Sequence, residues 1–149
     1  MIRHRNMESR GLYKGLVSRM VEEVGGIKLI SKNEESLVLG FEKTHYGYAK
    51  TVHPKEITYA WVYEEFAYYK GKQCIFYIEK NRCILTSFDI SERELLIKEG
   101  FKEMDRSVFE IEVKLSEVDR FAWEIRHKIG FEMPPGPREG ILDIYEEEL

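Results

Sequence analysis

The clearest pattern in the chain is a pair of apolar segments, residues 73–79 and 82–88, that flank the polar dipeptide Lys80-Asn81. A two-residue turn containing asparagine typically joins antiparallel strands into a hairpin. On one surface of this hairpin the predicted register pairs Cys74 with Ser87, Phe76 with Leu85, and Ile78 with Cys83. The other surface carries Ile75, Tyr77, Ile84, Thr86 and Phe88. Because both surfaces are apolar, we expect the hairpin to lie centrally in a sheet and to be covered on both sides.

Helical spacing of apolar residues marks two other segments. Residues 8–24 carry the stripe Leu12, Leu16, Met20 and Val24 and end at a glycine pair, which predicts a helix. Residues 116–130 carry the stripe Val118, Phe121, Ala122, Ile125 and Ile129, which predicts another. A shorter helix is predicted between Ser91, which forms a capping box with Glu94, and the stop signal Gly100.

The remaining segments favour strands and loops. Alternation over residues 107–115 predicts a strand, and residues 27–31 and 36–42 predict two more around a turn. Residues 44–51 show no period and are predicted to form a loop. Residues 54–70 fit either a helical face or a β-branched, aromatic strand, and the strand is slightly preferred. The predicted fold class is α+β, a mainly antiparallel sheet of about five to six strands with two to three helices packed on it. One domain spans residues 1–132, and a proline-rich linker and acidic, apolar tail occupy residues 133–149.

Composition narrows the class of protein. Apolar residues make up 43% and charged residues 34% of the chain, which is typical of a folded protein rather than a disordered one. The net charge of −4 argues against a protein whose main task is coating nucleic acid. Abundant glutamate with few amides is typical of heat-adapted proteins. The start of the chain does not have the pattern of a signal peptide, and no apolar run approaches the ~20 residues of a membrane span, so a cytoplasmic location without a membrane partner is expected.

The two cysteines are predicted to be buried, reduced packing residues. In the hairpin register Cys74 and Cys83 lie roughly 13 Å apart along the strands, at about 3.3 Å per residue. A disulfide requires Cα atoms within about 7 Å, so no bridge is expected. Without a nearby histidine or further cysteine, the pair also makes a poor zinc site.

A candidate enzymatic motif lies in the predicted strand Phe-Glu-Ile-Glu-Val-Lys at residues 109–114. A carboxylate two residues before a lysine can hold Mg²⁺ while the lysine stabilises phosphate charge. The segment resembles the (D/E)xK segment of the PD-(D/E)xK nucleases. The resemblance implies catalytic roles for Glu112 and Lys114, with Asp89 at the end of the previous strand, and Mg²⁺ as cofactor. The same residues also fit an ordinary half-buried strand with a charged solvent face.

A second candidate site is basic and aromatic. The N-terminal segment is locally basic, and with the tyrosines that follow it could contact an RNA or DNA backbone. The candidate nucleic-acid-binding residues are Arg5, Arg10, Lys14, Tyr46 and Tyr48. His45 and His53, in the same predicted loop as the tyrosines, could act as general acid or base, but their spacing does not suit a helical metal pair.

The sequence carries no glycine-rich phosphate loop, nucleophile elbow or HExxH helix. It therefore favours a small binding or interaction module without enzymatic activity, which self-associates through its sheet or its tail or binds another protein. The tail residues Ile141, Leu142, Ile144, Tyr145 and Leu149 are apolar enough to dock on the domain or on a partner. The alternatives are a metal-dependent nuclease and an RNA- or DNA-binding accessory protein. No cofactor is expected beyond the Mg²⁺ of the nuclease interpretation.

Overall fold

The structure, a computed structural model, describes residues 2–3 and 7–144, and in them the fold is almost entirely β. The strands are β1 (Ile2–Arg3), β2 (Met7–Tyr13), β3 (Leu16–Glu23), β4 (Gly26–Ser31), β5 (Glu42–Thr44), β6 (Gly47–Val52), β7 (Tyr59–Tyr69), β8 (Lys72–Glu79), β9 (Arg82–Ser87), β10 (Lys102–Asp105), β11 (Val108–Lys114), β12 (Arg120–His127) and β13 (Glu139–Ile141). The described residues form a single α-helix, α1 (Arg93–Lys98), and short 3₁₀ turns at Glu34–Leu39, Pro54–Glu56, Ile90–Glu92 and Leu115–Glu117. The predicted class of about five to six strands carrying two to three helices is therefore wrong.

The predicted N-terminal helix is a β-hairpin. Strands β2 and β3 pair in antiparallel register around Lys14 and Gly15, whose φ angles of 47° and 82° form a tight two-residue turn. A spacing of four residues is also twice the strand period, so the apolar stripe of residues 12–24 suits either structure. The burial of Tyr13, Ser18 and Met20 follows the strand period within each arm.

The prediction of a long helix over residues 116–130 is also wrong, whereas the predicted short helix after Ser91 is confirmed. Residues 116–130 contain β12, which pairs with β13 through Ala122, Trp123 and Glu124. Helix α1 follows the 3₁₀ turn Ile90–Glu92 and ends before Gly100, which has a φ of 102°. Asp89 rather than Ser91 supplies the capping side chain, because its Oδ1 accepts a hydrogen bond from the Ser91 backbone N–H at 3.1 Å.

Local capping and long-range pairing explain the other differences. The predicted strand over residues 36–42 is instead mostly the 3₁₀ turn Glu34–Leu39, capped by the Asn33 side chain and ended by Gly40 in the left-handed region. The predicted loop over residues 44–51 largely forms β6, which pairs with β4. The preferred strand within residues 54–70 is confirmed as β7.

The chain divides into two compact units. Unit 1 contains residues 64–124 and the segment from residue 139 onward, and its strand order is β10-β11-β9-β8-β7, with β12 pairing β13. Unit 2 contains Met7–Tyr63 and Ile125–Arg138, and its order is β7-β2-β3-β4-β6-β5. Strands β7 and β12 contribute residues to both units. Every pair whose register is described is antiparallel.

The β8–β9 hairpin holds the centre of unit 1, in the predicted register. Phe76 pairs with Leu85 and Ile78 with Cys83, and the turn residues Lys80 and Asn81 have φ angles of 48° and 64°. This face is buried beneath a core completed by Leu96, Phe101, Phe109, Val113, Phe121, Leu142 and Ile144. The opposite face, which carries Ile84, is only half-buried, and its neighbours on β11 in the same sheet are Glu112 and Glu110. Cover on both sides was therefore an incorrect expectation.

Unit 2 has its own core, built on the faces of β2, β3, β4 and β6. Its buried residues are Tyr13, Met20, Ile27, Leu29, Phe41, Val52, Ile57 and Ala60. Alternation within β2 and β3 leaves Arg10 and Arg19 on the opposite face, which we call the outer face of unit 2.

The tail docks on unit 1 as far as it is described. Strand β13 pairs with β12, the Leu142 backbone N–H donates to the Phe121 carbonyl at 3.0 Å, and Leu142 and Ile144 pack on the unit 1 core. Tyr145 and Leu149 lie outside the described residues. In the described part of the chain, no helix has the length and apolarity to cross a lipid bilayer.

Candidate functional site

Of the three residues that carry the nuclease resemblance, Glu112 and Lys114 lie on β11, and Asp89 follows the end of the adjacent strand β9. Glu112 is opposite Ile84 in the β9–β11 ladder, whereas Asp89 lies beyond the end of β9 at Ser87. At about 3.3 Å per residue, the three steps from Ile84 to Ser87, where β9 ends, correspond to roughly 10 Å along the strand, and Asp89 lies two residues further along the chain. One metal ion needs oxygen ligands within 2.0–2.6 Å, so this register does not bring the two carboxylates to a common ion.

Each of these side chains also has a local role or environment. The Asp89 carboxylate caps the 3₁₀ turn Ile90–Glu92, and the Glu112 carboxylate lies 3.5 Å from the Arg82 guanidinium. Lys114 is exposed at the end of β11. Among the described residues, no cluster of three histidine, cysteine, aspartate or glutamate side chains is arranged to hold a metal ion.

The nucleic-acid candidates lie on different surfaces of unit 2. Arg10 is on the outer face and Lys14 is exposed in the β2–β3 turn. Tyr48, in contrast, pairs with Ser31 on the core side of the sheet, and its ring packs against the core. Tyr46 is 85% exposed in the β5–β6 turn. Arg5 lies outside the described residues.

The two candidate histidines are exposed and separate. His45 neighbours Tyr46 in the β5–β6 turn. His53 caps the 3₁₀ turn Pro54–Glu56, where its Nδ1 accepts a hydrogen bond from the Lys55 backbone N–H at 3.1 Å. The His53 backbone N–H donates to the Glu56 carboxylate at 2.8 Å, which completes a capping box. The structure therefore gives His53 a structural role at a turn.

Both cysteines are free and buried in the unit 1 core, as predicted. Burial raises the pKa of the Cys74 thiol to about 11, an effect that the nearby Lys72 ammonium partly opposes. Burial likewise raises the pKa of Cys83 to about 12, with Cys74 adding to it. Since the thiolate is the reactive form, these are inert packing residues rather than nucleophiles or metal ligands.

An exposed surface of unit 1 that contains several apolar side chains lies around helix α1. A shallow hollow there is lined by Ile90, Ser91, Glu92, Arg93, Glu94, Leu95 and Lys98, and we call these residues the helix surface. Ile90 is 55% and Leu95 is 43% exposed, while only Leu96 of the helix is fully buried. Phe88 and Ile97, in the same segment, are also exposed. Large apolar side chains concentrated in one exposed segment are typical of a protein–protein contact.

Charges of both signs accompany the apolar residues of the helix surface. Arg93 pairs with Glu103 at 2.9 Å, and Glu99, just beyond the helix, pairs with Lys72 at 2.6 Å. Glu94 and Lys98 are exposed, and neither has an ion-pair partner within the part of the chain that the structure covers. They lie four residues apart, and residues at this spacing share a helix face. Glu92, on the same surface, is also exposed and has no ion pair with a described residue, so the surface presents two free anions, one free cation and an apolar centre.

Sequence reasoning identified this helix but not its surface. Residues 88–97 contain Phe88, Ile90, Leu95, Leu96 and Ile97, more apolar residues than one short helix can bury on one side. That excess was the available signal. It could not be interpreted from sequence because the long N- and C-terminal segments were expected to be helices that provided cover.

The comparisons with known proteins give a family and no further relative. Residues 9–129 match the family model described as "Uncharacterised conserved protein UCP033725". No curated protein and no solved structure is significantly similar to the chain. The matched segment covers most of the chain, including β3–β11, α1 and the whole helix surface. The chain therefore belongs to the uncharacterised conserved protein family UCP033725.

Proposed function

We propose that the protein is a small binding module that self-associates through the helix surface of unit 1. The observation that carries the proposal is the exposure of Ile90 and Leu95 beside Glu94 and Lys98, whose charges have no ion-pair partner among the described residues. When a second surface covers exposed apolar side chains, the free energy falls by roughly 25 cal/mol for each Å² of apolar area removed from water.

A second copy of the chain is the partner that this charge pattern fits. In a two-fold symmetric dimer, the same patch meets itself, so each contact occurs twice with the roles exchanged. A patch that carries charges of both signs beside an apolar centre can place Glu94 of one copy near Lys98 of the other. The same contact made by a uniformly charged patch would be repulsive.

The position of the tail supports this surface over the tail as the site of association. Leu142 and Ile144 are already packed on the unit 1 core of their own chain. The described part of the tail therefore has little apolar surface left for a partner, although Ile141 remains 77% exposed. The helix surface has no such cover within the described residues.

The size of the surface sets the expected strength of association. Stable interfaces bury about 1,200–2,000 Å² in total, and smaller ones belong to transient complexes. A few half-exposed apolar side chains on a helix of six residues place this contact at or below the low end of that range. We therefore expect reversible, concentration-dependent dimerisation.

Sedimentation velocity over a concentration series tests the proposal. The wild-type chain should show a weight-average sedimentation coefficient that rises with concentration towards that of a dimer. Leu95→Glu should remain monomeric, because a buried carboxylate at the centre of the contact is strongly unfavourable. Leu37→Glu is a matched control, since Leu37 in unit 2 is 46% exposed and Leu95 is 43% exposed.

The control variant should associate like the wild type. Circular dichroism and thermal melting of both variants separate loss of association from loss of folding. A wild-type chain that is monomeric at every concentration, or equal loss of association in Leu37→Glu and Leu95→Glu, would refute the proposal.

A further inference from the structure

Two arginines lie directly opposite one another on the outer face of unit 2. Arg10 on β2 and Arg19 on β3 are partners in the antiparallel ladder. Directly opposed residues have Cβ atoms about 4.5–5.5 Å apart, and like charges in this position destabilise the sheet. The long side chains allow the two guanidinium groups either to diverge or to converge on a shared anion.

Neighbouring side chains hold Arg10 in place. Its guanidinium carbon lies 3.6 Å from the centre of the Tyr63 ring, and its Nε donates to the Glu8 carboxylate at 2.9 Å. The Arg10 and Glu8 side chains are 32% and 19% exposed, so the pair is partly withdrawn from water. A guanidinium stacked on a ring and bridged at Nε keeps its outer N–H groups in a fixed direction.

Arg19 has no comparable compensation. It is exposed, and its side chain has no ion pair with any residue that the structure describes. Its neighbour on the other side in the sheet is Ile30, which is apolar. The Glu8 carboxylate forms its ion pair with Arg10. The two arginines together therefore carry one positive charge that no described carboxylate neutralises.

We propose that Arg10 and Arg19 together bind a phosphate group. A phosphate presents several oxygens in a tetrahedral arrangement, which can accept from two guanidinium forks at once. A carboxylate has only two oxygens in a plane and matches a single fork. Two sources share this chemistry: the phosphodiester of a single-stranded nucleic acid and a small phosphate such as pyrophosphate. The phosphate site is in unit 2, whereas the helix surface is in unit 1. The two proposals are therefore tested independently.

The test has two arms, both at about 50 mM salt, where phosphate contacts are strong. Fluorescence anisotropy follows a labelled single-stranded oligonucleotide, and calorimetry follows pyrophosphate. Arg19→Ala should weaken binding of the accepted ligand about tenfold or more, in line with the loss of a charge-assisted hydrogen bond. It should also reduce the slope of log affinity against log salt by about one for the oligonucleotide.

Two controls separate the site from general charge. Lys43→Ala removes an exposed cation on β5 of the same unit, and it should leave binding unchanged. Arg19→Lys keeps the charge but loses the fork, and it should bind less tightly than wild type. Thermal melting adds a readout independent of the label, because bound pyrophosphate should raise the Tm of wild type more than that of Arg19→Ala.

Binding in the oligonucleotide arm identifies a nucleic-acid backbone as the source, and binding confined to pyrophosphate identifies a small phosphate. Both results support the site. Absence of binding in both arms, or equal affinities for wild type and Arg19→Ala, would overturn it.

Discussion

Trp123 lies directly opposite Gly140 in the β12–β13 ladder, and its indole occupies the place where a side chain at Gly140 would be. A Cβ atom on Gly140 would come within 2.7 Å of the indole Nε1 and 2.8 Å of two ring carbons. Gly140 does not have a positive φ, so its backbone would accept other residues. The requirement for glycine is therefore steric, and it ties the tail to unit 1.

Gly140→Ala should destabilise the protein by about 1–3 kcal/mol, the usual cost of overpacking. The rigid indole must move away, and β13 should pair less well with β12. Chemical denaturation gives the change in the free energy of unfolding, and tryptophan fluorescence reports the new environment of the ring.

A double-mutant cycle with Trp123→Ala isolates the contact. In that background the space is empty, so Gly140→Ala should be close to neutral. An equal cost of Gly140→Ala in both backgrounds would show that the indole is not responsible.

The ion pair between Lys72 and Glu99 should matter more than the pair between Arg93 and Glu103. The Lys72 and Glu99 side chains are 9% and 20% exposed and their charged atoms are 2.6 Å apart, whereas Arg93 and Glu103 are 52% and 31% exposed. Glu99→Ala leaves an ammonium group unpaired in a largely buried site, and we expect a loss of about 1–3 kcal/mol.

Glu103→Ala is the matched control and should cost about 1 kcal/mol or less, because exposed pairs are screened by water. Urea denaturation of the two variants at equal salt makes the comparison. Equal losses would contradict the assignment of Lys72–Glu99 as the link between β8 and the end of α1.

The buried thiols predict a loss of stability at alkaline pH. The pKa values of Cys74 and Cys83 are raised from 9.0 to about 11 and about 12, so above pH 9 the unfolded chain releases protons that the folded chain retains. Each thiol then lowers the free energy of unfolding by up to about 1.4 kcal/mol per pH unit until its folded-state pKa is reached. Below pH 8 the thiols contribute no pH dependence.

The measurement is the slope of unfolding free energy against pH between 9 and about 11, for wild type and for Cys74→Ala/Cys83→Ala. Lysine and tyrosine titrate in the same range, so the difference in slope, rather than the slope itself, reports the cysteines. The variant should be less stable at pH 7, because of the cavities, but should lose less stability as the pH rises. Parallel curves would rule out the raised pKa values.

The sequence predicted one hairpin well and misread another of the same geometry. In β8–β9, Asn81 is a residue that readily takes a positive φ, and two continuous apolar segments directly flank the two-residue turn, which left a single register. In β2–β3, the turn Lys14-Gly15 is equally tight, but the apolar spacing of four residues is shared by helix and strand. Only pairing with β4 and β7 decides between them, and that information is not local.

Among the candidate site residues, too, those that depend on a local pattern could be predicted, and those that depend on distant strand pairing could not. The inert, separate cysteines could be predicted because their register depends on one hairpin. Arg10 was found from local charge, but its partner Tyr63 and its opposed neighbour Arg19 depend on the pairing of β2 with two other strands. The exposed side of α1 could not be predicted, because it depends on which distant segments cover the unit 1 core.

A charge-reversal mixing experiment tests self-association through the helix surface most directly. Glu94→Lys places cations at both positions 94 and 98, and Lys98→Glu places anions at both, while Glu92 is unchanged in each variant. In sedimentation velocity, each variant alone should remain monomeric at concentrations where wild type associates, because the self-contact places like charges together. An equimolar mixture should regain the dimer. Single variants that associate like wild type, or a mixture that stays monomeric while wild type dimerises, would contradict the account.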